Sequence, residues 1–239
     1  MKAFFTQLMI QFKCDLRDKQ TLIIYYMIPL VFFFLVGFVM ASIMPDRVNT
    51  LMPAFSIFAI TMPTFLGLPS TLVRLKEKDV LKAYKAAGIP TWATPMSHAI
   101  NTCFHTLIVS VIIFALSPII FGCDLPANIP GYFLKILLVI ICSTSLGVML
   151  SSLSKNQGSV TMLGQLFFMP TVLLSGIMFP ASMLPKVLQY IGYLLPGTQG
   201  MLLIDSEIFF LYPLAGLILS TTVAITISFH FYQKTEKQS

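Results

Sequence analysis

The densest run of ionisable side chains in this 239-residue chain lies at 74–90, where Arg74, Lys76, Glu77, Lys78, Asp79, Lys82 and Lys85 surround Val80, Leu81 and Tyr84. The three apolar residues fall at helical spacing, and Gly88 and Pro90 end the helix. A short amphipathic helix of this kind can dock into a groove on a soluble partner. The same residues also read as a solvated hairpin rich in positive charge.

Other chemistry is weaker. His98, Asn101, Thr102 and His105 share one helical face. Two histidines seven apart could hold a metal, but a closed site needs about four ligands. Hydrogen bonding between helices is the plainer reading. Ser175-Gly176 could supply a serine nucleophile, a chemistry that needs a base within reach and an oxyanion hole, but Leu174 precedes it and the Gly-x-Ser-Gly form is lacking. Small residues side by side in an apolar helix usually serve packing. The four cysteines, Cys14, Cys103, Cys123 and Cys142, form no close pair, so neither a disulfide framework nor a zinc site is expected. No G-x-x-x-x-G-K-[ST] loop is present to hold nucleotide phosphates.

The elements that carry these residues are apolar. Hydrophobic types make up 56% of the chain and charged residues 10%, against about 25% charged in an ordinary globular domain. Spans of about 20 apolar residues are predicted at 22–43, 52–73, 98–121, 132–153, 158–179 and 208–231. Lys135 lies close enough to the end of its span to snorkel. Ahead of them, Phe4, Phe5, Leu8, Met9, Phe12 and Leu16 recur at helical spacing, with Lys2, Lys13, Arg17 and Lys19 largely off that stripe. Residues 1–20 therefore read as an amphipathic helix in the membrane interface.

One further apolar stretch, 187–204, is broken by Pro196-Gly197. The cations decide its status. With six spans, one side of the membrane holds Lys2, Lys13, Arg17, Lys19, Arg74, Lys76, Lys78, Lys82, Lys85, Lys155, Lys234 and Lys237; the other holds Arg47, Lys135 and Lys186. That asymmetry follows the positive-inside rule and puts both termini in the cytoplasm. A seventh span would break it, so 180–204 reads as a re-entrant segment on the outer side. Cys123, in an outer turn, is then expected to be the most accessible of the cysteines. The expected architecture is all-α and integral to the plasma membrane of a bacterium. It is a single domain over 1–239, with an interfacial helix (1–20), a six-span bundle (22–231) and a cytoplasmic tail (232–239).

The spans contain no Asp or Glu. Ion-coupled transporters usually keep an ionisable residue at mid-membrane despite its cost. With neither an ion relay nor a nucleotide loop, the chain would have to draw the energy from a partner if it transports uphill.

Two segments resemble the permeases of type 2 ABC exporters. In R-L-K-E-K-D-V-L-K-A-Y-K-A-A-G-I-P at 74–90, Glu77, Val80, Leu81 and Lys82 match the family's segment after its second span. Asp79 replaces the usual glycine, and Ala87-Gly88 replaces Thr-Pro. In 169–199, Leu174, Ser175, Gly176, Phe179, Pro180, Leu184, Pro185, Leu195 and Pro196 fit the family's fifth span and the segment after it. The resemblance implies a homo- or heterodimer of permeases with cytoplasmic ATPases that bind ATP and magnesium, while this chain binds no cofactor. It makes 74–88 the coupling helix, through Arg74, Glu77, Val80, Leu81, Lys82 and Tyr84. It places Phe34, Phe38, Thr61, Phe168, Leu174, Ser175 and Gly176 at the transport path or dimer interface, and Pro180, Pro185, Pro196 and Gly197 in the re-entrant segment. Peptides, drugs, lipids and polysaccharides are all cargoes of such exporters. A self-powered transporter or channel, and a non-transporting immunity or sensor scaffold, are the alternatives.

Overall fold

The computed structural model describes residues 2–77, 92–178, 183–205 and 211–238, and the structural statements that follow concern those residues. Their regular elements are helices: α1 (Lys2–Asp15), α2 (Lys19–Ile43), α3 (Pro45–Lys76), α4 (Ala93–Phe121), α5 (Ile129–Leu153), α6 (Gln157–Leu174), α7 (Lys186–Gly192), α8 (Pro196–Asp205) and α9 (Leu211–Gln238). Five of them, α2 to α5 and the Leu211–Phe231 part of α9, are long and apolar enough to cross a membrane. The chain is thus a multi-pass membrane protein.

The remaining expected span, 158–179, is less complete. Helix α6 has 18 residues and ends at Leu174, giving about 27 Å of rise against a hydrocarbon core of about 30 Å. Gln157 and Gln165 dilute its apolarity. Its early stop has a local cause: Gly176 adopts φ +87°, a left-handed conformation that ends helices and suits glycine. Other ends are capped by side chains. Asp18, Asn128 and Asn156 accept from the backbone N–H of Gln20, Gly131 and Ser159, and left-handed Gly122 closes α4.

Helix α3 is the pillar of the bundle, with nearly all of its spanning stretch enclosed by other helices. Pro63 lacks an N–H, and Pro63–Gly67 widens into a π turn in which Leu68 N–H reaches back to Pro63 O. The neighbours fit the widened turn by having no side chain. A Cβ on Gly147 of α5 would overlap the Thr64 carbonyl, and one on Gly164 of α6 would overlap the Phe65 carbonyl. Small residues let helix backbones approach in this way where lipid offers no hydrophobic drive for association. Helix α2 has a matching π turn at Ile23–Met27, ahead of Pro29, and its Tyr25 ring packs over Gly67.

Rings fill the rest of this region. Phe32 stacks on Phe58 at 3.9 Å, and Phe33 lies edge-on between Phe55 and Phe121 at 5.5 and 5.2 Å. Around α5, Ile136, Val139, Ile140, Leu146 and Leu150 pack with Leu203 of α8 and with Leu217 and Ala224 of α9.

Two sequence expectations are refined and one, the accessibility of Cys123, is corrected. The apolar stripe of α1 divides: Phe12 stacks on His105 at 4.9 Å and Phe4 meets Trp92 at 5.9 Å, while Phe5, Met9 and Leu16 are exposed. The first row docks on α4, because the start of α4 offers it an aromatic and polar face. Lys135 is buried, on the face of α5 that it shares with Tyr132 and Ile136. Cys123 is buried too, its thiol donating to Val48 O at 3.1 Å, because the α4–α5 connection folds back over the start of α3; Asn49 bonds Asp124 there as well. Cys14 is the exposed cysteine.

Candidate functional site

The loop expected to meet a partner leaves from the C-terminal end of α3 and returns at the start of α4. Val80, Leu81, Lys82 and Tyr84 lie outside the described residues, so what the structure supplies is the base on which the loop stands. Arg74 and Lys76 sit in the last turn of α3, where cations complement the carbonyl end of a helix. Lys76 Nζ donates to Ser151 O at 2.7 Å, tying α3 to the last turn of α5. One connection further on, Gln157 Nε2 donates to Ser70 O at 2.7 Å, tying the first turn of α6 to α3. Glu77 is the last described residue ahead of the loop. Four helix ends, of α3, α4, α5 and α6, therefore meet at the base of the loop.

Beside this base the start of α4 presents its polar face. His98, Asn101, Thr102 and His105 are all buried there, as the sequence pattern groups them. Thr102 Oγ1 bonds Tyr25 OH at 2.9 Å, His105 Nδ1 bonds Tyr26 OH at 2.6 Å, and Asn101 Nδ2 donates to Leu8 O at 3.4 Å. The partners are thus α1 and α2. Among the described residues no group of three or more His, Cys, Asp or Glu is placed to hold a metal. Just before α2, the Thr21 hydroxyl donates to Asp18 at 2.7 Å and, with the Gln20 and Thr21 backbone, holds that carboxyl below the ordinary aspartate range against the opposing effect of burial.

The residues assigned to a path or interface separate into two sets. Phe34 and Phe38 of α2 are exposed, on an apolar face they share with Val31 and Leu35. Thr61 is fully buried within α3 and its hydroxyl bonds back to Ile57 O at 2.9 Å. Phe168 packs on Phe58 at 5.7 Å. Leu174 is half-buried, and Ser175 is buried with a hydroxyl that has no hydrogen-bond partner. Gly176 forms the turn that ends α6.

At the opposite end of the bundle, Pro185 is exposed and caps α7. Pro196 and Gly197 open α8 and are buried. Helix α8 wedges its first turns into the bundle: Gly197 lies on Thr171 of α6 and Ile57 of α3, and Gly200 on Val139 of α5. Gln199 faces Gly216 of α9, and its Nε2 donates to Tyr193 O. Helix α7 has seven residues and the described part of α8 has ten, each short of the about 20 that a crossing needs. Pro180 lies outside the described residues.

Sequence reading passed over the Lys76–Ser151 and Gln157–Ser70 ties and the roles of Tyr25 and Tyr26. Residue type offered one signal for the tyrosines, since a buried phenol generally finds a partner. Nothing in the sequence signalled the two ties, which join residues 75 and 87 positions apart.

Against protein-family models, residues 2–209 match the one described as ABC-2 type transporter. A search of curated proteins finds no match.

Proposed function

Since the chain belongs to the ABC-2 type transporter family, we propose that it is the membrane permease of an ATP-driven exporter whose ATPase is a separate polypeptide. In this reading α6 is a sixth span, α7 and α8 form an outer re-entrant segment, and both termini are cytoplasmic. The permease works as a dimer in the plasma membrane. One observation carries the assignment of the energy source: no carboxylate lies in the interior of any span, and no phosphate-binding loop occurs in the chain. Work then enters by contact, through the loop between α3 and α4, which rises beside the tied ends of α3, α5 and α6.

Within that loop, Val80, Leu81 and Tyr84 form the ridge that seats on the ATPase, and Arg74, Glu77 and Lys82 set its register by charge. Truncating a buried anchor at such an interface costs about 2 kcal/mol or more, and rim charges act mainly on association rate. The test is a Leu81→Ala, Tyr84→Ala double variant, purified with its associated ATPase and reconstituted in vesicles. Substrate-stimulated ATP hydrolysis and export are expected to fall by about tenfold or more, with membrane insertion unchanged. If no ATPase accompanies the wild-type chain, the exporter reading fails. If an ATPase accompanies it and the double variant couples as well as wild type, only the coupling-helix assignment fails.

A further inference from the structure

Between α1, α2 and α4 lies a set of polar groups that the transport reading does not use. His105 is almost wholly buried. Phe12 covers one face of its ring at 4.9 Å, and Tyr25 and Tyr26 stand edge-on to it at 5.5 and 5.7 Å. Nδ1 bonds the Tyr26 hydroxyl at 2.6 Å. Nε2 has no hydrogen-bond partner and lies 3.8 Å from Asp15 Oδ2, just beyond hydrogen-bond reach. The other oxygen of Asp15 accepts from Gln11 Nε2 at 2.7 Å, which aims the carboxylate. One buried imidazole thus stands between the last residue of α1 and the first turns of α2.

We propose that Asp15, His105 and Tyr26 form a proton-tightened latch that fastens α1 to the first span. In the neutral ring the Tyr26 hydroxyl donates to Nδ1 and Nε2–H faces a carboxylate it does not reach. Protonation places a cation opposite Asp15, and the attraction closes the gap into a charge-assisted hydrogen bond. Nδ1 then becomes a donor, and the Tyr26 hydroxyl turns to accept, since a hydroxyl serves both roles. Both protonation states keep the α2 bond, and only the α1 bond responds. The other ionisable groups facing this site are Tyr25 on α2, Cys103 and His98 on α4, and Arg74 on α3. His98 is buried on the same face of α4 as His105, so the test separates the two histidines. The latch matters because α1 leads through the Asp18 cap directly into α2, whose exposed face holds Phe34 and Phe38.

Cys14 is exposed and adjoins Asp15, so it serves as a native handle. A nitroxide is attached there in the full chain in lipid nanodiscs, with Cys103, Cys123 and Cys142 replaced by alanine. Label mobility is read at about pH 8 and about pH 5.5. The mobile fraction is expected to fall about threefold on acidification in this background and in His98→Gln. It is expected to stay unchanged with pH in Asp15→Asn and in His105→Gln. Tyr26→Phe is expected to keep the response, because the α1 bond survives. Absence of a pH response in the parent, or a parent-like response in Asp15→Asn or His105→Gln, overturns the latch. So does loss of the response in His98→Gln, which would move the switch to that residue.

Discussion

The side chains that decide this structure are often the ones that are missing. Gly147 and Gly164 let α5 and α6 close on the carbonyls of Thr64 and Phe65. Because the obstruction is backbone, it cannot turn aside as a flexible side chain would. Gly147→Val is therefore expected to destabilise the protein by about 2 kcal/mol, seen as a lower unfolding temperature in detergent, whereas Gly158→Ala, in open surroundings, is expected to leave that temperature nearly unchanged. A wild-type melting curve for Gly147→Val would mean that α3 and α5 do not meet there. The cysteines give a second residue-scale outcome. Cys14 should react with a thiol reagent in the folded, permeabilised preparation while Cys123 should not, since Cys123 is buried, its thiol bonds Val48 O, and burial raises its pKa. Mass spectrometry of the labelled peptides reads this directly. A modified Cys123 beside an unmodified Cys14 would contradict the packing of the α4–α5 connection.

At the scale of the element, the start of α2 is the instructive case. Asp18 caps the helix by accepting from Gln20 N–H and from the Thr21 hydroxyl. Replacing such a cap by alanine typically costs about 1 kcal/mol. The carboxyl is held below its ordinary range, chiefly by Thr21. A depressed carboxyl contributes stability that is fully present above the unfolded-state value, about 3.9, and lost as pH falls through the folded-state value. Asp18→Ala should therefore lower stability at neutral pH, and the difference from wild type should shrink as pH drops below about 4. Thermal unfolding of the two proteins across acid pH measures it. A difference that grows toward acid would reverse the assignment. The same element shows why a proline is tolerated within a helix: the π turn Ile23–Met27 precedes Pro29, as Pro63 opens its own π turn in α3.

For the molecule as a whole, the cations are unevenly divided between the two ends of the bundle. Lys13, Arg17, Lys19, Arg74, Lys76 and Lys155 fall at the end where α3 stops and α4 starts, and Arg47, Lys135 and Lys186 toward the other. In the topology proposed above, the positive-inside rule makes the first end cytoplasmic, and six spans place the tail there too. A cysteine introduced near Lys237 should resist an impermeant thiol reagent in intact cells and react after permeabilisation. Labelling from outside would leave α6 uncrossed and the count odd. Neither α7 nor α8 changes this parity, since the described part of each is shorter than a crossing needs.

Membership of the helical membrane class was legible in the sequence, because a span must be a run of apolar residues long enough to replace water with lipid. The first four spans were found within several residues of their helices, and the end of the fifth was misjudged because apolarity runs on past Gly176 while the backbone turns there. The polar face His98–Asn101–Thr102–His105 was equally legible, since helical spacing alone groups those residues. Which partners they meet was not, because Tyr25, Tyr26, Leu8 and Asp15 come from two other helices some 80 to 90 positions away. Nor did the sequence say that α3 is enclosed while α2 lies open, since each carries a spanning stretch of apolar residues and lipid and protein interior ask for the same side chains. Phe33 and Phe34 are adjacent in sequence and identical in type. One is fully buried and the other exposed, and only the packing of α2 on α3 and α4 decided which.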